Sequence, residues 1–203
     1  MKTTLKKIAF YTLAFLLGGC VPSLHPLFTD EEIIFDANLV GVWSEPNSNS
    51  KNFWEFKPVV NSKKYDVIYA DEKGIGKFEG RLGKIGRDTF LDIYPDEPNV
   101  VGNDFYKGHL LGVHTFMEID LSKKGLEIED MDNDSLKKLL EAEPNAIKFE
   151  EVNDLIVLTA STKELQAFIL KYSKNDKFEL FGNDKKDDKL MQRVKQQDVN
   201  SVK

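Results

Sequence analysis

Between Phe53 and Glu129 the chain repeatedly alternates apolar with polar residues, and this period of two most limits what it can fold into. Trp54 and Phe56 fall on one face of Phe53–Pro58, with Glu55 and Lys57 on the other. Tyr65, Val67 and Tyr69 alternate with Lys64 and Asp66; Phe78, Gly80 and Leu82 alternate with Lys77, Glu79 and Arg81. Thr89–Tyr94 and Gly108–Ile119 are further apolar runs, the second long enough to bend across a barrel or sandwich. Gly125–Glu129 sets Leu126 and Ile128 against Glu127 and Glu129, Leu155–Thr159 is continuously apolar, and Phe178–Phe181 is a candidate last strand. Successive side chains of a strand point to opposite faces, so alternation marks strands with one buried face. Turn-forming clusters cut the runs at Pro46-Asn47-Ser48, Asn61-Ser62, Asp71-Glu72-Lys73-Gly74, Gly86-Arg87-Asp88 and Lys123-Lys124-Gly125. Many short strands at such spacing predict an antiparallel barrel or sandwich.

Two helices interrupt the strands in the C-terminal half. Asp132 or Asp134 can cap Ser135–Glu143, with Leu136, Leu139 and Leu140 on one stripe and Pro144 stopping it. Ser161-Thr162-Lys163-Glu164 is a capping-box sequence. Leu165, Phe168, Ile169 and Tyr172 follow at i, i+3, i+4 and i+7, which predicts a helix over Thr162–Ser173 with its apolar stripe on the sheet.

The first residues read as an address. Met1–Lys7 is basic and Ile8–Leu17 is apolar, a run of about ten where a membrane-spanning helix needs roughly twenty. Leu17-Gly18-Gly19-Cys20 resembles the bacterial lipobox, in which the cysteine is acylated and becomes the new N-terminus after cleavage. That resemblance implies a signal peptide over residues 1–19 and an envelope lipoprotein held on a membrane through Cys20. Val21 in place of Asp implies the outer membrane if the host is Gram-negative. The other reading is an ordinary cleaved signal with an incidental cysteine. Each buried CH2 contributes about 0.8 kcal/mol, so two or three acyl chains would anchor stably.

The expected organisation is a lipidated lead-in over 20–35, a β-barrel domain over 36–182 and a polar tail over 183–203. Leu24, Leu27, Phe28, Ile33, Ile34 and Phe35 make the lead-in too apolar for a solvated tether. It should pack on the domain, with Thr29 or Asp30 capping a helical turn through Glu31 and Glu32. The tail is expected to be a frayed helix or disordered.

Charge narrows the partners. Without Lys2, Lys6 and Lys7 the chain carries 25 basic against 34 acidic residues, a balance of −9. That repels phosphate backbones, which argues against nucleic acid, and it disfavours electrostatic attachment to an anionic membrane. With one cysteine there is no internal disulfide framework and no cysteine-based zinc site.

The stretch Phe35-Asp36-Ala37-Asn38-Leu39-Val40-Gly41-Val42-Trp43 resembles the start of lipocalins and their calycin relatives, where a turn leads into a first strand carrying Gly-x-Trp. Gly41 and Trp43 match that motif. The resemblance implies an up-and-down β-barrel closed at one end by the tryptophan, with a ligand cavity and a late helix packed outside. Lipocalins also stack an arginine of the last strand on that tryptophan. Here no arginine lies between Arg87 and Arg193, so either a lysine such as Lys171 or Lys177 substitutes or the closure differs. The alternative is that Gly41 and Trp43 are a turn and a core residue of another β fold. The whole chain, including Ser23-Leu24-His25-Pro26-Leu27-Phe28-Thr29, also resembles a group of bacterial lipoproteins, which supplies no activity.

Motifs for chemistry are sparse. His109 and His114, five apart on a continuous strand, would face opposite sides and could not chelate one metal without a bulge at Gly112, so no metal site is expected. No Gly-x-Ser-x-Gly elbow occurs, and Cys20 is taken by the lipid. Asp92, Asp104, Glu118 and Asp120 could supply carboxylate pairs, but acids are common throughout. An enzyme would need a cleft where His114 or His109 meets a carboxylate. Gly74–Gly80 has spaced glycines without Gly-Lys-[Ser/Thr] and reads as a hairpin turn. Glu129–Asp134 lacks the glycine and closing glutamate of a calcium loop.

These readings lead to a non-enzymatic membrane lipoprotein without a cofactor, binding a small hydrophobic ligand in a lipocalin-like barrel. Trp54, Phe56, Tyr65, Tyr69, Phe78, Phe90 and Tyr94 are the candidate cavity lining. The alternative is a structural or assembly lipoprotein with a filled core that docks another envelope protein, through the tail or through the loop Asp96–Asp104 with Val100 and Val101.

Overall fold

The period-two runs are strands. The computed structural model describes residues 20–46, 52–96, 102–175, 177–182 and 190–194. The described strands are β1 (Pro22–Ser23), β2 (Gly41–Ser44), β3 (Phe53–Pro58), β4 (Tyr65–Asp71), β5 (Gly74–Ile85), β6 (Asp88–Pro95), β7 (His114–Ser122), β8 (Gly125–Asp130), β9 (Phe149–Val152), β10 (Leu155–Leu158) and β11 (Gln192–Arg193). The helices are α1 (Asp104–Lys107), α2 (Asn133–Ala142) and α3 (Thr162–Tyr172). The domain is mainly β with accessory helices, as the alternation demands.

Consecutive strands from β2 to β8 pair antiparallel as a meander. The strand path runs β11-β2-β3-β4-β5-β6-β7-β1-β10-β9, with β8 also on β7. Paired strands leave this sheet open. One isolated bridge joins Leu126 of β8 to Met191, just before β11, through two backbone hydrogen bonds of 3.0 and 2.9 Å.

Register decides which side chains meet. On the inner face Phe56 opposes Val67, Val67 opposes Phe78, and Leu82 opposes Leu91. With Leu39, Trp43, Tyr65, Ile93, Met117, Ile119, Leu126 and Met191 these form one buried cluster. Burying each such side chain stabilises the fold by about 1.5–3 kcal/mol. The outer face of β6 and β7 is buried too, because Phe90 and Phe116 pack under the lead-in and helices α2 and α3. Two buried faces explain why these strands read as continuous apolar runs.

The lead-in packs as its apolar content requires, with Leu27, Phe28 and Ile33 buried. The Phe28 ring lies directly over Gly83 of β5, where a side chain would collide with it. The segment after Thr29 is a turn and not a helix, held by the Glu32 carboxylate accepting from the Thr29 N–H and hydroxyl.

Asp132 caps α2 by accepting the Ser135 N–H at 2.6 Å, and Leu136, Leu139 and Leu140 are buried. At α3 the Glu164 carboxylate accepts from the Ser161 N–H and hydroxyl, and Leu165, Phe168, Ile169 and Tyr172 are buried.

Several expectations are corrected. The strand expected over Gly108–Ile119 starts only at His114, because α1 and its exit turn occupy the residues before it. Gly74–Gly80 is part of β5, and the hairpin turn is confined to Asp71–Gly74, where Asp71 accepts the Lys73 and Gly74 N–H groups. Phe178–Phe181 is not a strand; Phe181 makes only an isolated bridge to Met131. Part of the tail is ordered, since Gln192 and Arg193 pair with Ser44 and Trp43.

Candidate functional site

One end of the inner face is built around Trp43. Its Nε1 donates to the Leu39 carbonyl at 2.8 Å, so the indole is buried with its polar atom satisfied. Arg193 lies across it, with the guanidinium carbon 4.6 Å from the ring centre. The same guanidinium donates to the Asn38 carbonyl at 2.5 Å and to the Val40 carbonyl. Gly41 makes room: its φ is +139°, and a Cβ there would sit 2.7 Å from the Arg193 Nη1. The arginine that stacks on the tryptophan is therefore Arg193, from the expected tail. Lys171 and Lys177 do not substitute; they lie over Tyr172 and Phe178.

Tyr65 ties the lead-in to this inner face. Its hydroxyl accepts the Asp36 N–H at 2.7 Å and donates to the Asp36 carbonyl at 3.1 Å, while Phe35 stacks on its ring at 5.1 Å. Burial holds the Tyr65 hydroxyl above its ordinary pKa.

The seven expected lining residues divide between the faces. Phe56 and Tyr65 are fully buried on the inner face, with Trp54 and Phe78 packed beside them. Tyr69 opposes Trp54, their rings 4.7 Å apart, and stays partly exposed. Phe90 and Tyr94 lie on the outer face instead, Phe90 against Phe181 and Tyr94 against His114. In a strand, residues 90, 92 and 94 share a face opposite to 91 and 93, and Leu91 and Ile93 take the inner one.

Trp54, Tyr69 and Phe78 lie toward the end where β3 and β5 begin and β4 ends. Cys20 lies two residues before β1, which pairs with His114 and Thr115 at the start of β7. Burial first, then the acids Asp71 and Asp130, raise the Tyr69 hydroxyl. Cys20 keeps an exposed surface, yet desolvation about its sulfur and the Asp130 carboxylate push its thiol up to about 11. A thiol held that high is a poor nucleophile at neutral pH.

The condition for an enzyme, a cleft where His114 or His109 meets a carboxylate, is half met. His114 meets Asp92, but neither residue lines either of the two cavities described below. Asp92 is completely buried; one carboxylate oxygen accepts from His114 Nδ1 at 2.8 Å and the other from the Leu27 N–H at 2.9 Å. Tyr94 covers the imidazole with its ring 4.7 Å away. The pair clamps the lead-in to β6 and β7. The alternation of β6 could have flagged Asp92, a carboxylate within an apolar run. His109 lies elsewhere, its Nδ1 donating to the Phe105 carbonyl at 2.7 Å.

Two cavities are described. One, of about 590 Å³, lies beside the lead-in and mixes Ile34, Leu39 and Leu82 with the charged Lys84, Glu118 and Glu129. The other, of about 780 Å³, lies between α3 and the Pro144–Glu150 segment. None of the seven aromatic residues lines either cavity. Among the described residues, no group of three or more His, Cys, Asp or Glu side chains could hold a metal ion, and no helix is long and apolar enough to cross a membrane. Residues 1–19, and Val100 and Val101 of the expected docking loop, lie outside the described residues.

No protein-family model, no curated protein and no solved structure matches the chain.

Proposed function

We propose that this chain is a lipid-anchored, non-catalytic envelope lipoprotein whose β domain is a lipocalin-like barrel, holding a small apolar molecule against the aromatic end. The Arg193–Trp43 stack carries the reading, because it joins the last strand to the first as the Gly-x-Trp resemblance implies. Backbone pairing supports the barrel: it runs from β2 through β8 and returns through the Leu126–Met191 bridge to β11 and β2. Trp43 opposes Trp54 and Trp54 opposes Tyr69 in register, so a ligand would lie on this aromatic row and on Phe78, beside the Arg193 stack.

The test is native mass spectrometry of the protein extracted gently from its own membranes. The expected result is an acylated Cys20 as the first residue, with a co-purifying apolar molecule that Trp54→Ala releases. Absence of the acyl group sinks the anchor; a ligand-free domain with an intact aromatic end sinks the binding role.

A second reading rests on Phe56 and Tyr65, which are fully buried and fill the inner face with side chains. On that reading the domain is an assembly lipoprotein with a filled core. It predicts a stable protein partner in crosslinked membranes and no ligand.

A further inference from the structure

The β6–β7 connection carries an apolar surface that the fold leaves uncovered. Phe105 is 80% exposed and Leu111 74%, and Tyr106 and Leu110 beside them are also exposed. The segment is not a loose loop. Asn103 caps α1 by accepting the Tyr106 N–H at 2.9 Å, and His109 Nδ1 donates to the Phe105 carbonyl. Gly112 then lies so close to Tyr94 that a Cβ would come 2.5 Å from its hydroxyl oxygen. Local hydrogen bonds and this close contact thus present large apolar side chains to the outside, where water would oppose their exposure.

The position of this surface says what covers it. β6 ends at Pro95 and β7 begins at His114, so the connection lies at the end of the sheet where β4 turns into β5. Ile75, 69% exposed, stands on that hairpin. Cys20 lies two residues before Pro22, which pairs with Thr115, the second residue of β7, so the anchor point is within a few residues of this end. The apolar run Ile8–Leu17 leads into Cys20, so apolar material reaches this end whether it is the leader or acyl chains.

We propose that Phe105, Tyr106, Leu110, Leu111 and Ile75 form a foot that beds in the lipid bilayer beside the anchor. The inference rests on the lipoprotein reading of Cys20. Attachment is by apolar burial, since the balance of −9 outside the leader gives no general attraction to anionic lipid. The aromatic end with Trp54, Tyr69 and Phe78 then faces the bilayer, and the class of ligand it would take is lipid.

The experiment uses the full chain, produced with its leader and reconstituted in phosphatidylcholine vesicles. A single cysteine is introduced as Phe105→Cys or, at the opposite end of the sheet, as Lys63→Cys, and carries an environment-sensitive fluorophore. Intact mass first reports whether Cys20 is acylated; its absence overturns the anchor, and the foot with it. With Cys20 acylated, the expected result is blue-shifted emission at position 105 and severalfold stronger quenching by spin-labelled lipid there than at position 63. Equal quenching at the two positions overturns the foot while leaving the anchor intact. Emission shifted blue without lipid quenching also overturns it, since a protein surface would then be the cover. As a second readout, Phe105→Ser with Leu111→Ser should lower lipid quenching of the fluorescence of Trp43 and Trp54 while thermal unfolding stays unchanged; undiminished quenching overturns the foot.

Discussion

The Arg193 guanidinium lies 4.6 Å from the centre of the Trp43 ring and donates to two carbonyls of the segment that introduces β2. One side chain therefore joins β11, β2 and the turn that introduces β2. A cation over an aromatic face contributes about 0.5–2 kcal/mol, and hydrogen bonds from a charged donor add to it. Arg193→Ala should lower unfolding free energy in urea by about 1–3 kcal/mol. Arg193→Lys should recover only part, because an ammonium cannot reach both carbonyls while stacking. An unchanged urea midpoint in both variants would reject the stack as a stabilising contact.

Gly41 should prove inseparable from Arg193. A side chain at Gly41 meets the guanidinium and adopts a φ that non-glycine residues avoid, a strain of about 1–3 kcal/mol. Gly41→Ala should therefore destabilise the native chain, and part of that loss should vanish in an Arg193→Ala background. The relief measures the collision, and what remains measures the backbone strain. Strict additivity of the two substitutions would show that the glycine serves only its own φ.

β3, β4, β5 and β8 were legible from the alternation of a half-buried strand, and β6 and β7 as continuous apolar runs buried on both faces. The two longer helices were legible from their caps and apolar stripes. What stayed hidden depends on chain distant in sequence. Arg193 sits in a polar segment whose strand is only two residues long, so no periodic pattern announced it. Pro22–Ser23 is similarly short, yet it bridges β7 and β10. The β9–β10 hairpin had a usable signal: Asn153 and Asp154 both adopt positive φ, the geometry of a tight two-residue turn. Phe90 and Tyr94 were grouped with the inward aromatics because alternation gives parity but does not say which parity faces in. Asp92 and His114 were separately visible as residues, but only the β6–β7 register brings them together.

That pair leads to a prediction about the lead-in. Asp92 is fully buried and holds both His114 and the Leu27 N–H, so removing one member leaves the other unmatched in the core. Leaving a buried hydrogen-bonding group without its partner costs about 1–3 kcal/mol. Asp92→Asn keeps the shape and can still accept one hydrogen bond, so it should cost less than Asp92→Ala. Amide exchange supplies the specific readout: the Leu27 N–H should exchange faster in Asp92→Ala, while the β4–β5 amides keep their order of protection. Unchanged Leu27 protection would mean that Phe28 packing, and not the carboxylate, holds the lead-in.

The cap of α3 should respond to acid. Lys148, then the Ser161 hydroxyl and N–H, hold the Glu164 carboxyl down at about 2, below its ordinary 4.5. A carboxylate whose pKa falls on folding supplies stability that is fully present above the ordinary value and disappears as pH drops through the folded one. The N-terminal turn of α3 should therefore lose protection between pH 4.5 and about 2, and hold it unchanged above that window. Glu164→Gln should flatten this acid dependence, because the amide still accepts from Ser161 but does not titrate. The side chain is at the surface, so added salt should shrink the effect in the native chain. Intrinsic-rate-corrected hydrogen exchange at the Glu164 and Leu165 amides across that pH range reads the difference directly; the same acid slope in Glu164→Gln would assign the response to another carboxylate.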